Sequence, residues 1–403
     1  MTGVAAATGD LELAPTAMAA GGVALARHAD GRVVFVEGAL PGELVRARLT
    51  DTRKDFARAV TLEILEPSPD RVAPPCPALA AGCGGCTWQH VSAAGQTRLK
   101  SDVVVDALRR IAKLSEPPVP QPMPMAGPPL RTTARLAVSP GGRAGHRPRT
   151  GSGAVETDAC LVAHPLLEEL IVDGRYPGAH EVLLRVSVAT GERIVLVDRV
   201  AGTVQVPADV RVFEEGDTRS AFVHEEVAGR RYRISAGSFF QSGPVVAAAL
   251  TSAVSSSIDD ALPDGGVLID AYAGVGLFAS IYGSQRRARV VAVENDQSAV
   301  ADARVNLADL DAKVVAVEVA RWRPQPADVV IADPARSGLG RPGVGALAAT
   351  GAPRLVLVSC DPASLARDSL LLGEAGYSLA SVRLVDAFPH TFHVETVSRF
   401  DLT

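Results

Sequence analysis

Five apolar runs recur through the carboxyl-terminal part of the chain, separated by stretches long enough to form helices. They are rich in Val, Ile and Leu, and most of them end in a polar residue. The runs occupy residues 266–270, 290–294, 314–317, 328–333 and 354–360. This alternation is typical of a doubly wound parallel sheet, in which ligand-contacting residues lie at the carboxyl ends of the strands. The pattern therefore predicts an α/β domain with a ligand site along one edge of its sheet.

The sequence before this domain is organised differently. Residues from about 9 to 66 alternate short β-type runs with turns, which is the pattern of a small closed β-barrel of the oligonucleotide-binding type. Proline-rich junctions at 67–77 and 117–129 flank a helical pattern over 92–114, and strand-rich sequence follows to about residue 234. We expect three domains: the β-barrel over 1–68, a central α+β domain over 69–234 and a Rossmann-like domain over 235–403.

Composition limits the class of protein. The chain has 403 residues and a net charge of −5, and no apolar run reaches the roughly 18 residues that a membrane span needs. The amino terminus lacks a basic segment followed by an apolar stretch, so we expect a cytoplasmic monomer with no membrane partner. The negative charge argues against indiscriminate binding to nucleic acid but allows local basic surfaces.

Two short basic stretches are candidate phosphate contacts, although either could be an ordinary solvated face. The first contains Arg46, Arg48, Arg53, Lys54 and Arg58. The second contains Arg131, Arg135, Arg143, Arg147 and Arg149, with no acidic residue among them.

A glycine loop follows the first apolar run of the α/β domain. Gly274 and Gly276 can bring the backbone close to a ligand, and we expect Asp270 and Tyr272 to line the same crevice. Glu294 ends the second run, where an acid commonly binds ribose hydroxyls. The loop therefore predicts a cofactor that carries a nucleoside.

The identity of that cofactor depends on a second motif. With Ala279, the loop also matches the loose Gly-x-Gly-x-x-Ala pattern, so by itself it does not exclude a nicotinamide cofactor. Asp333-Pro334 follows the fourth run. A strand-terminal Asp-Pro beside the cofactor suits the handling of a base and has no obvious role in hydride transfer. The combination favours S-adenosylmethionine and a nucleic-acid methyltransferase.

Cys360 ends the fifth run, and Glu395 follows 35 residues later in Phe-His-Val-Glu-Thr-Val. A thiol at the end of a strand and a downstream carboxylate, both behind a nucleotide-type loop, indicate covalent catalysis on a bound substrate. The alternatives are that Cys360 packs as a small apolar side chain and that Glu395 is a solvated carboxylate.

Several motifs occur together in one enzyme family. In their order along the chain, they resemble those of the uracil-5 RNA methyltransferases over the whole catalytic half. The amino-terminal β unit resembles a TRAM domain, and the clustered cysteines resemble the iron-sulfur motif of the ribosomal-RNA branch. The motifs are Phe239-Phe-Gln, Asp270-x-Tyr-x-Gly-x-Gly, Asp333-Pro-x-Arg-x-Gly, Ser359-Cys-Asp-Pro, Ala366-Arg-Asp and Phe388-Pro-x-Thr-x-His-Val-Glu.

The resemblance implies a covalent mechanism. The Cys360 thiolate adds to C6 of uracil, C5 of the resulting enolate takes the methyl group from S-adenosylmethionine, and Glu395 removes the C5 proton before elimination. Arg336 helps to hold the uracil. The residues assigned to the cofactor or the base are Gln241, Tyr272, Glu294 and Asp333.

The same resemblance implies an RNA substrate, with 23S ribosomal RNA favoured and transfer RNA as the alternative. The target base must leave its stack, and single-stranded loops expose bases for this purpose. The chain departs from the family pattern at Ala335, where a second proline is common, and at Leu277, where a polar residue is common. Asp333 and Arg336 are unaffected by the first change, whereas Leu277 can contribute only its backbone to the cofactor site.

The remaining cysteines are candidate metal ligands, because clustered cysteines in a reducing compartment more often bind metal than pair as disulfides. By the resemblance, four of them hold a [4Fe-4S] cluster, with tetrahedral zinc as the alternative. They are Cys76, Cys83, Cys86 and Cys160.

Two other classes of protein remain open from the residues alone. A nicotinamide-dependent oxidoreductase with an accessory iron-sulfur domain would explain the glycine loop but would leave Cys360 and Glu395 without a role. A non-catalytic RNA-binding protein would use the β unit together with a degenerate methyltransferase fold.

Overall fold

The computed structural model describes residues 10–125, 127–128, 130–216 and 220–403, and it divides into two units. Among the described residues, unit 1 contains 10–75, 86–106 and 390–393. Unit 2 contains residues 76–85, 107–389 and 394–403. Unit 1 therefore continues past residue 68, and the three domain boundaries stay a prediction. The first nine residues of the predicted β-barrel lie outside the described residues.

The strands of unit 1 form a six-stranded sheet in the order β1-β5-β6-β4-β3-β2. Only β4 and β6 are parallel; the other neighbours are antiparallel. Inward positions follow the period of two expected of strands, so Val34, Val36, Val45 and Ala47 are buried. The bounds are β1 (Asp10–Leu13), β2 (Ala17–Met18), β3 (Ala24–Arg27), β4 (Val33–Glu37), β5 (Leu44–Thr52) and β6 (Phe56–Glu66).

A glycine allows two distant segments of unit 1 to pack together. Gly22 has φ +82°, and a Cβ at this position would lie 2.7 Å from the Phe392 ring, so only glycine fits. The Gly22 carbonyl accepts a hydrogen bond of 3.1 Å from the indole Nε1 of buried Trp88. Residues 86–106 and 390–393 therefore complete the core of this unit. Helix α1 (Ala93–Arg110) begins within it.

The first part of unit 2 holds a five-stranded sheet in the order β12-β11-β10-β8-β9 and a separate two-stranded ribbon, β13-β14. Strands β10 and β11 are buried along almost their whole length, which explains their continuous apolar sequence. The bounds are β7 (Gln121–Pro122), β8 (Thr133–Val138), β9 (Ala144–Gly145), α2 (Pro165–Val172), β10 (Glu181–Val186), β11 (Arg193–Val197), β12 (Arg211–Glu214), β13 (Phe222–Val227) and β14 (Arg230–Ser235).

The second part of unit 2 is the predicted α/β domain. Its eight-stranded sheet has the order β17-β16-β15-β18-β19-β21-β20-β7, with β15 to β19 all parallel. Strand β21 is antiparallel to both β19 and β20. The bounds are α3 (Pro244–Ile258), β15 (Val267–Ala271), α4 (Leu277–Arg286), β16 (Arg289–Glu294), α5 (Gln297–Asn306), β17 (Ala312–Ala316), β18 (Val329–Ala332), α6 (Gly340–Ala348), β19 (Arg354–Ser359), α7 (Pro362–Glu374), β20 (Tyr377–Leu384) and β21 (Thr396–Leu402).

The strand order reverses beside β15, and this reversal positions both the ligand crevice and the helices. From β15 the chain first moves outward through β16 to β17, then crosses back to β18 and moves the other way to β19. Right-handed crossovers in opposite directions place α5 and α6 on opposite faces of the sheet. The crevice for a ligand lies at the carboxyl ends of the strands beside this reversal. Among the described helices, none is both long enough and apolar enough to cross a membrane.

Candidate active site

Strand β15 ends in a tight glycine loop with a left-handed backbone. Tyr272, Gly274 and Gly276 have φ angles of +60°, +54° and +87°. At Gly276 a Cβ would also come within 3.2 Å of the Leu307 side chain. Glu294 braces the loop, because its Oε2 accepts a hydrogen bond of 2.8 Å from the Gly274 N–H. The structure thus brings Tyr272, the glycines and Glu294 together at the carboxyl ends of β15 and β16.

Asp270 supports this loop from behind. The sequence predicted that its side chain lines the crevice, but that prediction is wrong, since Asp270 is completely buried. One carboxyl oxygen accepts a hydrogen bond of 2.7 Å from the Ala279 N–H in the first turn of α4, and the other has no partner among the described residues. Burial raises the pKa of Asp270 to about 8, so the group is mostly protonated at neutral pH. Its role is to hold the start of α4.

Backbone register brings Cys360 and Glu395 together. Strands β19 and β21 pair up to Ser359 and Thr396, so the next residue on each strand lies at the same end of the ladder. The Thr396 hydroxyl donates a hydrogen bond of 3.1 Å to the Ser359 carbonyl and fixes this end. Glu395 is only 5% exposed, which rules out the alternative of a solvated carboxylate. Cys360 is half-buried and retains access to a substrate.

The site concentrates three acidic groups. Burial raises the pKa of the Cys360 thiol, and the negative charges of Glu395 and Asp333 raise it further. Burial raises the pKa of Glu395 well above its usual value, with a further contribution from Asp333. The carboxyl group of Asp333 is enclosed by protein, and this raises its pKa to about 7, although the residue keeps some exposed surface. The crowded groups therefore disfavour simultaneous ionisation.

Two polar side chains oppose this trend. The Arg336 guanidinium hydrogen-bonds to the Cys360 sulfur, and both this bond and its positive charge lower the thiol pKa. The Gln241 amide donates a hydrogen bond of 3.2 Å to an Asp333 carboxyl oxygen. The structure therefore assembles Gln241, Asp333, Arg336, Cys360 and Glu395 into one cluster, although they come from four separate segments.

The loop that carries Arg336 is tied to α7, the helix that follows Cys360. The Ser364 hydroxyl donates a hydrogen bond of 2.5 Å to the Arg336 carbonyl, and Asp368 accepts bonds from the backbone N–H groups of Leu339 and Gly340 at 2.7 and 3.0 Å. Sequence reasoning did not assign a role to Ser364 or Asp368, although Asp368 ends the Ala-Arg-Asp motif. These contacts position the arginine relative to the thiol.

Gly338 explains the final glycine of the Asp-Pro-x-Arg-x-Gly motif. Its φ is +77°, and a Cβ would lie 2.3 Å from the Asp368 Oδ2 atom. No other residue fits without moving the Asp368 side chain that caps the loop.

The described residues do not fit a four-thiolate cluster as they lie. They include no group of three or more His, Cys, Asp or Glu side chains that could hold a metal ion. In unit 2, burial raises the pKa of the Cys83 thiol, and Cys76 is close enough to raise it further. Cys160 is buried with its sulfur 3.9 Å from His146 Nε2, and Cys86 is buried in unit 1. The assignment of Cys76, Cys83, Cys86 and Cys160 to a metal stays a prediction.

Most arginines of the two predicted basic stretches are already paired with acids. Arg46 pairs with Glu63 at 2.6 Å, and Arg147 pairs with Glu181 at 2.7 Å. Arg58 differs, because its guanidinium lies over the Phe35 and Phe56 rings at 5.8 and 5.9 Å. The two rings contact each other edge to face. This aromatic and cationic surface of unit 1 suits stacking on an unpaired base.

Comparison with known proteins gives this arrangement a context. Residues 20–62 match the TRAM domain family. A protein described as an uncharacterized RNA methyltransferase from Streptomyces avermitilis is 35% identical over 96% of this chain and 97% of its own length. The 23S rRNA (uracil(1939)-C(5))-methyltransferase RlmD of Methylococcus capsulatus is 34% identical over 93% of both. This chain belongs to the RNA uracil-C5 methyltransferase family.

Family membership agrees with the fold. The crystal structure of Pyrococcus abyssi tRNA (uracil-54, C5)-methyltransferase in complex with S-adenosyl-L-homocysteine matches with a TM-score of 0.73, covering 97% of this chain and all of that one at 24% identity. The predicted α/β fold class and TRAM domain are therefore confirmed. Membership of this family argues against the alternative interpretation of the chain as a nicotinamide-dependent oxidoreductase.

Proposed function

We propose that this protein transfers a methyl group from S-adenosylmethionine to C5 of a uridine in RNA through a covalent adduct at Cys360. One observation carries the proposal. A half-buried thiol lies beside a buried carboxyl group and a guanidinium at the carboxyl ends of a doubly wound sheet. Family membership indicates the class of reaction, and the side chains of this cluster can carry out its individual steps.

The thiol supplies the first bond. The thiolate form of Cys360 adds to C6 of the uracil, and the electron pair of the C5–C6 double bond moves into an enolate with a nucleophilic C5. Arg336 supports this step, because its hydrogen bond to the sulfur favours the thiolate. The enolate takes the methyl group that S-adenosylmethionine supplies when bound.

The buried carboxyl completes the reaction. Glu395 in its ionised form takes the C5 proton, the electron pair of the C5–H bond re-forms the C5–C6 double bond, and the sulfur leaves as thiolate. Burial raises the pKa of Glu395 and so disfavours the ionised form that this step requires. Gln241 and Asp333 form a hydrogen-bonded pair that fits the edge of a uracil or the methyl donor.

The proposed binding site for the methyl donor uses the loop after β15. Tyr272 and the backbone of Gly274 and Gly276 would contact the adenosyl group, and Glu294 would accept hydrogen bonds from the ribose hydroxyls. Its two oxygens bond to backbone N–H groups of the loop and of the start of α5, and a carboxylate retains capacity for further donors.

Ribosomal RNA is the proposed substrate class. Relatives named as 23S rRNA methyltransferases cover nearly the whole chain at 30 and 34% identity, and the transfer-RNA enzyme shares the fold at 24%. Transfer RNA is the second candidate. The [4Fe-4S] cluster also stays a prediction, and no step above depends on it.

Methyl transfer to transcribed 23S rRNA and transfer RNA tests the proposal. We expect 5-methyluridine in the ribosomal transcript with wild-type protein. Cys360→Ala should abolish transfer and still bind S-adenosylmethionine, because the thiolate acts on the base. Turnover by Cys360→Ala would exclude the covalent mechanism, and 5-methyluridine confined to transfer RNA would correct the substrate.

A further inference from the structure

The ribbon β13-β14 carries a cationic cavity that sequence reasoning did not single out. Its volume is about 480 Å³, within the range of sites for small ligands. It lies outside the thiol cluster, and we call it the ribbon cavity. Its polar lining residues are His224, Arg230, Arg231, Arg233, Asn306 and Asp309.

Two of the three lining arginines are held by acids, and the third is free. Arg230 forms two hydrogen bonds of 2.8 Å with Asp309, and Arg233 bonds to buried Asp302 at 2.6 Å. Arg231 is exposed, and its guanidinium has no hydrogen-bonding or ionic partner among the described residues. A free guanidinium beside two fixed ones is well suited to bind a phosphate, because its five N–H groups can donate hydrogen bonds to phosphate oxygens.

Nearby negative charges limit the positive electrostatic potential of the ribbon cavity. Glu192 pairs with His224 at 3.2 Å and lies 3.8 Å from Arg211. Glu226 lies opposite Arg231 in the register of the ribbon, without an ion pair. Four acids (Glu192, Glu226, Asp302 and Asp309) therefore match the four arginines (Arg211, Arg230, Arg231 and Arg233) in number, so the surface suits contact with one phosphate at Arg231 rather than with a highly charged polyanion.

An aromatic ring adjoins the arginines. The Phe222 ring lies 4.4 Å from the Arg233 guanidinium and 5.6 Å from that of Arg211. His224 meets the same ring edge to face, with centroids 5.3 Å apart. Arginines interleaved with rings are typical of surfaces that bind single-stranded nucleic acid, because bases stack on rings and guanidinium planes while cations follow the phosphates.

The ribbon is firmly fixed and leads into the active site. Asp302 accepts hydrogen bonds from the Ser235 N–H and from the Ser235 and Ser238 hydroxyls at 2.6 to 2.8 Å. The guanidinium of buried Arg185 also bonds to the Ser235 and Ser238 carbonyls. Six residues after Ser235 the chain reaches Gln241, the partner of Asp333. A strand of RNA on the ribbon would therefore be held on a segment that is rigidly joined to the catalytic loop.

We propose that the ribbon cavity binds a single-stranded segment of the substrate RNA, with a phosphate on Arg231 and a base stacked against the arginine and aromatic surface. This inference rests on the proposed RNA methyltransferase function. It assigns part of substrate capture to unit 2, in addition to the TRAM domain.

Substitutions that change the charge of Arg231 or of Glu226, which lies opposite it, test this assignment in the full-length protein. The probe is transcribed 23S rRNA, titrated at several salt concentrations. Arg231→Glu should weaken binding at least about tenfold, and Arg231→Ala should lower the slope of log affinity against log salt by about one. Glu226→Gln removes an acid opposite Arg231 and should strengthen binding. Arg341→Ala removes an exposed arginine on α6, on the other face of the sheet, and should leave affinity unchanged.

Methyl transfer separates this inference from the proposed function. We expect Arg231→Glu to raise the KM for RNA and to leave kcat and S-adenosylmethionine binding unchanged, with a wild-type melting temperature. If the wild-type protein methylates RNA and Arg231→Glu binds it with equal affinity and salt slope, the inference is wrong and the function stands. If wild-type protein binds RNA without methylating it, the function fails, while the Arg231 and Glu226 variants still decide the inference.

Two further outcomes would replace RNA as the occupant. Uridine monophosphate titrated without RNA should show no saturable binding that depends on Arg231 at the concentrations at which RNA binds, since a free nucleotide lacks the contacts that RNA makes elsewhere on the protein. Such binding would make the cavity a nucleotide site. A polyglutamate peptide that competes with RNA for the wild-type protein but not for Arg231→Glu would show that the ribbon cavity is a contact site for an acidic protein. Either result overturns the proposal.

Discussion

Cys360 and Glu395 lie at the same end of the β19-β21 ladder, although 35 residues separate them in the chain. The antiparallel pairing of Ser359 with Thr396 fixes this relationship, so the proposed catalytic pair depends on backbone register rather than on a flexible loop. A shift of one residue would turn one of the two side chains to the opposite face. The carboxyl group raises the thiol pKa, and Arg336 lowers it.

These opposing effects predict how the reactivity of Cys360 changes with pH. Only the thiolate is alkylated, so labelling of wild-type Cys360 by iodoacetamide should rise about tenfold per pH unit below its pKa. Glu395→Gln removes a negative charge and should shift this profile to lower pH, whereas Arg336→Ala should shift it to higher pH. Mass spectrometry of the Cys360 peptide separates it from the other four cysteines. Shifts of the same sign in both variants would contradict this electrostatic model.

Glu395→Gln should also trap the protein on its RNA. A glutamine cannot take the C5 proton, so the sulfur cannot leave after methylation. We expect an adduct with 23S rRNA that survives denaturing electrophoresis and requires S-adenosylmethionine. The double variant with Cys360→Ala should form none. Free turnover by Glu395→Gln would show that another group is the base.

Gly338→Ala should impair catalysis from outside the cluster. The added Cβ would meet Asp368, which caps the backbone of the loop that positions Arg336. We expect kcat to fall at least about tenfold, since small displacements of positioned groups are costly. Binding of S-adenosylmethionine should be retained. Gly345→Ala is the matched control, because a Cβ there meets nothing within 4 Å. Equal activities of the two variants would remove Arg336 positioning from the mechanism.

Sequence patterns predicted the parallel strands, the thiol and the carboxylate, because each follows from local periodicity or a short motif. They could not predict that Asp270 is buried, since its motif position is the same whether the carboxyl faces the crevice or the helix. The hydrogen bonds of Asp368 to Leu339 and Gly340 were also out of reach, because they join segments about 30 residues apart. The ribbon cavity escaped notice because its lining residues come from the β13-β14 ribbon and, more than 70 residues further along the chain, from the end of α5 and the turn after it.

The four cysteines give a prediction that chemical analysis can decide. Four thiolates suit a [4Fe-4S] cluster, although no group of three or more His, Cys, Asp or Glu side chains that could hold a metal ion is found in the part of the chain that the structure describes. Protein purified without oxygen should be brown and contain about four iron and four sulfide per chain. Cys83→Ser should lose this colour and destabilise the central region. One zinc and no iron would establish the tetrahedral alternative.

Asp302 should prove essential for the stability of unit 2. It is completely buried, and it accepts hydrogen bonds from Arg233, Ser235 and Ser238 that join the ribbon to α5. Asp302→Ala would leave the Arg233 guanidinium and several donors unpaired in a buried place, so we expect the free energy of unfolding to fall by about 3–5 kcal/mol. Denaturant titration measures this loss. Asp309→Ala is the control, because Asp309 also pairs with an arginine of the ribbon but is well exposed, and it should cost at most about 1 kcal/mol. Equal losses for the two variants would mean that burial does not set the cost, and a small loss for Asp302→Ala would show that the ribbon is held by its apolar contacts.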